Sequence, residues 1–165
     1  MVAALAFPAS AQDVWVNADT GSDSNDCTVD ADNACATIGE AINQASQGNV
    51  IQVAAGTYDG ESAPLSIGTN MTLRVASYDG SSTVSIPDGL QIDDTDADGN
   101  NEVVTIDAAS GVSNPVFAVG SNAQGLSFTT NNNGTELVVD LGSSGVCEVA
   151  GNGANLTNQN AAIDL

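Results

Sequence analysis

A chain of 165 residues with 42% hydrophobic side chains can bury one core, which excludes wholesale disorder. Twenty-one carboxylates face a single cation, Arg74, with no histidine, for a formal net charge of −20. That balance excludes nucleic acid as a partner and disfavours anionic membrane surfaces, because no basic patch exists to displace counterions.

The first residues point out of the cell. Val2 to Phe7 is an apolar run, followed by Pro8 and a small-x-small pattern at Ala9-Ser10-Ala11. Residues 1–11 are therefore read as the second half of a secretory signal, cut after Ala11. No basic residue precedes the run, so the chain start is expected to be truncated or miscalled; an apolar first strand is the alternative. No segment reaches the ~20 apolar residues of a membrane helix, so no membrane insertion is expected.

Cysteine usage suits export. Cys27 and Cys35 flank the seven residues TVDADNA, and a disulfide between them would close a short polar loop. Zinc is the competing reading, but this spacing without histidine or a second pair is a poor pattern. Cys147 is left over, either as a small buried hydrophobe or with a partner beyond Leu165.

A helix follows. Thr37 and Glu40 form a capping box, with each side chain expected to accept the other's backbone N–H. Ile38, Ala41, Ile42 and Ala45 make one apolar stripe, and Gly48 is a plausible stop. Such a short helix must rest its stripe on an apolar surface to persist.

Short strands come next, at 50–54, 71–76, 83–86, 103–106, 116–119, 126–129 and 137–141, separated by Gly-, Asn- and Asp-rich turns. IQVA at Ile51 and LRVA at Leu73 stand 22 residues apart, as do VFAVGS at Val116 and VVDLGS at Val138. A recurring offset is the mark of stacked repeats. A sandwich of two antiparallel sheets also fits strands at this spacing.

Residues 20–58, TGSDSNDCTVDADNACATIGEAINQASQGNVIQVAAGTY, resemble the opening of secreted pectate-lyase-like proteins. That resemblance implies an all-β right-handed parallel β-helix, a solenoid capped by the short helix, with about five coils. It divides the chain into residues 1–11, an N-terminal cap at 12–48, and coils at 49–165 that are expected to continue beyond Leu165. An architecture of this kind does not specify a reaction.

The strongest chemical motif is Asp94-Thr95-Asp96-Ala97-Asp98-Gly99. It resembles the first half of a calcium loop: Asp94, Asp96 and Asp98 are the candidate calcium ligands, with Glu102 or Asp107 to close the shell. Thr105 stands where the bidentate Glu would fall, and a solvated acidic turn is the alternative. A second acidic cluster, Asp19, Asp23, Asp26, Asp30 and Asp32, is less regular. Without histidine there is no Ser-His or Cys-His nucleophile system. Lyases of the resembled family use Arg or Lys as base; here only Arg74 is available, and a structural ion pair is its competing role. These features suggest a secreted or cell-surface, non-catalytic scaffold, adhesin-like or contacting polysaccharide or cell-surface glycan. The alternative is the N-terminal part of a carbohydrate-active lyase or hydrolase.

Overall fold

The computed structural model describes residues 12–61, 65–67, 70–75, 78, 82–94, 103–120, 126–130, 136–141, 143–149, 154–157 and 162–164. In chain order the elements are β1 (Asp13–Val16), α1 (Ile38–Gln44), β2 (Val50–Val53), β3 (Gly56–Thr57), β4 (Leu65–Ile67) and β5 (Met71–Val75). Then follow β6 (Thr83–Ile86), β7 (Leu90–Asp94), β8 (Val103–Ala108), β9 (Val116–Val119) and β10 (Leu126–Thr130). The last are β11 (Glu136–Asp140), β12 (Val146–Val149), β13 (Ala154–Thr157) and β14 (Ala162–Asp164).

All described strand pairings are parallel. They build a six-stranded sheet, β1-β2-β5-β8-β11-β14, and two four-stranded sheets, β13-β10-β7-β4 and β12-β9-β6-β3. The antiparallel sandwich is thereby ruled out for the described residues.

The expected all-β right-handed parallel β-helix, a solenoid with a short capping helix, is corrected. The molecule combines parallel sheets with an α-helix that packs on β1, β2 and β4, an α/β-like arrangement rather than a plainly all-β one. The helix belongs to the core: Ile38 and Ala41 are fully buried. Nor is there a constant repeat, since strands of the large sheet begin at residues 13, 50, 71, 103, 136 and 162. The 22-residue offset holds for Ile51 and Leu73, which are register partners. It fails for the second match: Val116 pairs with Thr83 and Val146, in a different sheet from Val138. Connections of unequal length join the sheets, so similarity in so biased a composition does not imply adjacency.

Alternation decides what each strand buries. Val14 and Val16, Ile51 and Val53, Leu73 and Val75, and Val104 and Ile106 point inward and are at most 1% exposed. In-register parallel pairing stacks them, so Val14 lies beside Ile51, Ile51 beside Leu73 and Leu73 beside Ile106. Each such aliphatic side chain contributes ~1.5–3 kcal/mol on burial. Val84 and Ile86 of β6, Phe117 and Val119 of β9, and Leu90 of β7 line the same core.

The N-terminal edge is closed by backbone. The Trp15 N–H donates to the Cys27 carbonyl at 2.8 Å, the Cys35 N–H to the Trp15 carbonyl at 2.9 Å, and the Asn17 N–H to the Cys35 carbonyl at 2.8 Å. The loop between the cysteines thus covers the outer edge of β1, which would otherwise be open to another strand. Cys27 and Cys35 form the expected disulfide, with Cα atoms 5.3 Å apart and both residues buried. Gly21 fits beneath this loop because it lacks a Cβ, which would stand 2.0 Å from the Cys35 carbonyl oxygen. Cys147 is a free thiol, half-buried and packed on the core.

Reducing Cys27–Cys35 is expected to lower unfolding free energy by about 2–3 kcal/mol through the regained freedom of the unfolded loop. Urea unfolding of reduced and oxidised protein checks this as a shift in midpoint at nearly constant slope. An unmoved midpoint would mean that the backbone bonds to β1 suffice.

Candidate functional site

The outer face of the six-stranded sheet carries aligned aromatic, polar and charged side chains. Because Val14 and Val16 point inward, Asp13 and Trp15 point outward; by the same alternation Gln52, Thr72, Arg74, Thr105 and Asp107 also face out. Register aligns one outward row across five strands: Trp15, Gln52, Arg74, Asp107 and Asp140. A second row runs Asp13, Val50, Thr72, Thr105 and Val138.

Two aromatics mark one end of the first row. Tyr78 follows β5 and reaches back to β1, where its hydroxyl donates to the Val16 carbonyl at 2.7 Å. Its ring meets Trp15 edge to face, with centroids 5.2 Å apart and planes at 69°. β2, which carries Gln52, lies between β5 and β1. Gln52 is only 7% exposed.

Arg74 occupies the centre of the row. Its Nε and Nη2 atoms donate to the Asp107 carboxylate at 3.1 and 2.9 Å, a forked pair between neighbouring strands. The hydrogen bond to Asp107 raises the guanidinium's pKa, the nearby charges of Asp107 and Asp13 add to this, and desolvation opposes it. Arg74 thus holds the structural ion pair named as its competing role, with Asp107 as the partner.

The other expected site residues lie elsewhere. Asp94 is the last residue of β7, while Asp96, Asp98 and Glu102 fall outside the described residues. No group of three His, Cys, Asp or Glu side chains suited to a metal occurs among the described residues. Much of the second acidic cluster is spent on backbone. Asp23 accepts the N–H groups of Ala36 and Thr37, both at 2.9 Å, and Asp30 accepts that of Asn33. Asp26 accepts the Thr28 hydroxyl and N–H, and these bonds lower its pKa.

The start of α1 is half the expected box. Thr37 Oγ1 accepts the Glu40 N–H at 3.1 Å, but Glu40 instead accepts from Gln44 Nε2 at 2.9 Å. Asp23 has taken the Thr37 N–H, and Glu61 takes those of Ile38 and Gly39 at 2.5 and 2.9 Å. The helix ends at Gln44, short of Gly48. Burial raises the pKa of Glu61 above its ordinary 4.5 and the charges of Asp23 and Asp88 raise it further, against the pull of the two N–H donors.

Trp15, Gln52 and Tyr78 were missed in the sequence. Gln52 and Arg74 already occupy equivalent positions in IQVA and LRVA, and Trp15 breaks an apolar alternation at DVWV. Tyr78 had no local signal, because its partner is on β1.

No family model matches the chain, and neither a curated protein nor a solved structure matches it, so nothing in these comparisons identifies a pectate-lyase-like protein. No helix among the described residues is long and apolar enough to cross a membrane.

Glu61 should leave a pH signature. With its folded pKa raised above 4.5, the folded state holds this proton more tightly than the unfolded chain does. The stability tied to Glu61 is then greatest at low pH and falls as pH rises from 4.5 through the raised folded value. Subtracting the unfolding free energy of Glu61→Gln from that of the wild type should give a difference that declines over this interval. A flat difference would show that the helix N–H groups have cancelled the effect of burial.

Proposed function

We propose that the chain is a secreted or cell-surface module that contacts glycan through the outer face of its six-stranded sheet, and that it works by binding rather than by catalysis. The observation that supports this reading is the row Trp15, Gln52, Arg74, Asp107 and Asp140, with Tyr78 set against Trp15. Aromatic rings offer a flat apolar surface with a polar edge, which suits the C–H face of a sugar ring. The polar side chains beside them sit on strands, so their spacing is held before any ligand arrives. Export is supported by the buried disulfide and by the small-x-small pattern near Ala11.

Calorimetric titration with a panel of soluble polysaccharides tests the reading. Binding is expected for the wild type without release of reducing ends, and Trp15→Ala should weaken it roughly tenfold or more, as loss of a central aromatic anchor does. Trp15 is only partly buried and points outward, so the variant should fold. Equal binding by Trp15→Ala would place the contact elsewhere, and product release would make the chain an enzyme.

A further inference from the structure

We propose that Gln52 is the hydrogen-bonding recognition residue of a subsite for uncharged pyranose glycans, set between the Trp15–Tyr78 pair and the Arg74–Asp107 pair. This rests on the glycan-contacting reading above. Three polar or charged residues are buried among the described residues: Asn49, Gln52 and Glu61. Asn49 Oδ1 accepts the Ser46 N–H at 2.6 Å, and Glu61 accepts two helix N–H groups. The carboxamide of Gln52 makes no hydrogen bond to any described residue, although the residue is only 7% exposed.

An unpaired buried amide weakens a fold, and an aliphatic residue would serve this outward strand position better. The carboxamide presents one acceptor and two donors in a plane, which two neighbouring hydroxyls of a sugar can satisfy together. Its row neighbours supply the rest of a subsite. Trp15, one strand away, provides an apolar ring surface, and a few convergent polar groups beside such a surface are the usual makeup of a small-ligand site.

Charge selects the class of sugar. Arg74 is the chain's one cation and its guanidinium is already forked onto Asp107. Asp13, Asp107 and Asp140 stand on the same face, within a molecule of net charge −20. A uronate or sulfated chain would meet repulsion with no free cation to offset it. Hydroxyl-rich neutral sugars escape that cost.

The test uses the whole chain with neutral hexamers of glucose, mannose, xylose and N-acetylglucosamine, and with a galacturonate hexamer as the anionic probe. Quenching of Trp15, the only tryptophan, reports binding, and calorimetry supplies Kd. At least one neutral hexamer should bind and the galacturonate should not. Gln52→Leu should raise Kd roughly tenfold or more, as loss of a hydrogen-bonding partner for substrate hydroxyls does. It should also melt no lower than the wild type, because no internal bond is lost. Unchanged Kd for Gln52→Leu in a protein that still depends on Trp15 would overturn the role of Gln52 and leave the glycan reading standing. A lower melting point for Gln52→Leu would reveal a structural partner and overturn it too. Galacturonate binding as tight as neutral binding would overturn the ligand class. If the wild type binds no hexamer, the glycan reading fails and this inference fails with it.

Discussion

Parallel, in-register pairing is the constraint on which the rest of the molecule depends. From β2 onward successive strands enter the three sheets in rotation, and each pairs with the strand three elements later. Equivalent positions are thereby placed about 4.8 Å apart, side chain beside side chain. Inside, the result is continuous aliphatic stacks such as Val14, Ile51, Leu73 and Ile106. Outside, the same rule puts Trp15, Gln52, Arg74, Asp107 and Asp140 into one row. A one-residue slip in any strand would exchange the two sets, so the hydrophobic core also secures the polar face.

A chain with twenty-one carboxylates and one cation must find other partners for its acids. At the N-terminal end they are backbone N–H groups. Asp23, Asp30 and Glu61 satisfy amides at turns and at the start of α1, and Asp26 closes the turn at Thr28. Carboxylates accept but do not donate, which suits them to the first turn of a helix, where N–H groups lack internal partners. The same end is sealed mechanically: the disulfide loop covers the edge of β1, and α1 packs on β1, β2 and β4. Glu61 shows the tension in this arrangement. Its burial favours a proton, whereas the amides it serves favour the charge.

Some of this was legible from short-range pattern. Val103 to Ile106 falls within β8, and Thr83–Ile86 and Val116–Val119 are strands with the bounds their residues imply. Other strands escaped: Asp13–Val16 and Leu90–Asp94 were passed over, Gly56–Thr57 has two residues, and Ala154–Thr157 lacks a β-branched run. Pairing gives such segments their conformation where propensity does not. Of the capping box, only the Thr37 half formed, because Asp23 and Glu61, distant in sequence, took the amides that local reasoning allotted to Glu40 or to water.

The sequence by itself determined the acidic surface, the helix start at Thr37, the Cys27–Cys35 loop and most strands with strong alternation. Each follows from interactions within about one turn or one strand, so neighbouring residues carry the information. Tertiary structure alone decided which strands meet, hence the parallel α/β-like arrangement in place of the expected all-β solenoid. It also decided that Arg74 would face Asp107, 33 residues on, and that Tyr78 would reach Val16, 62 residues back. Connections of unequal length separate those partners, and only the shared core brings them together. The polar row on the outer sheet is therefore a consequence of packing, written in residues that are unremarkable until they are stacked.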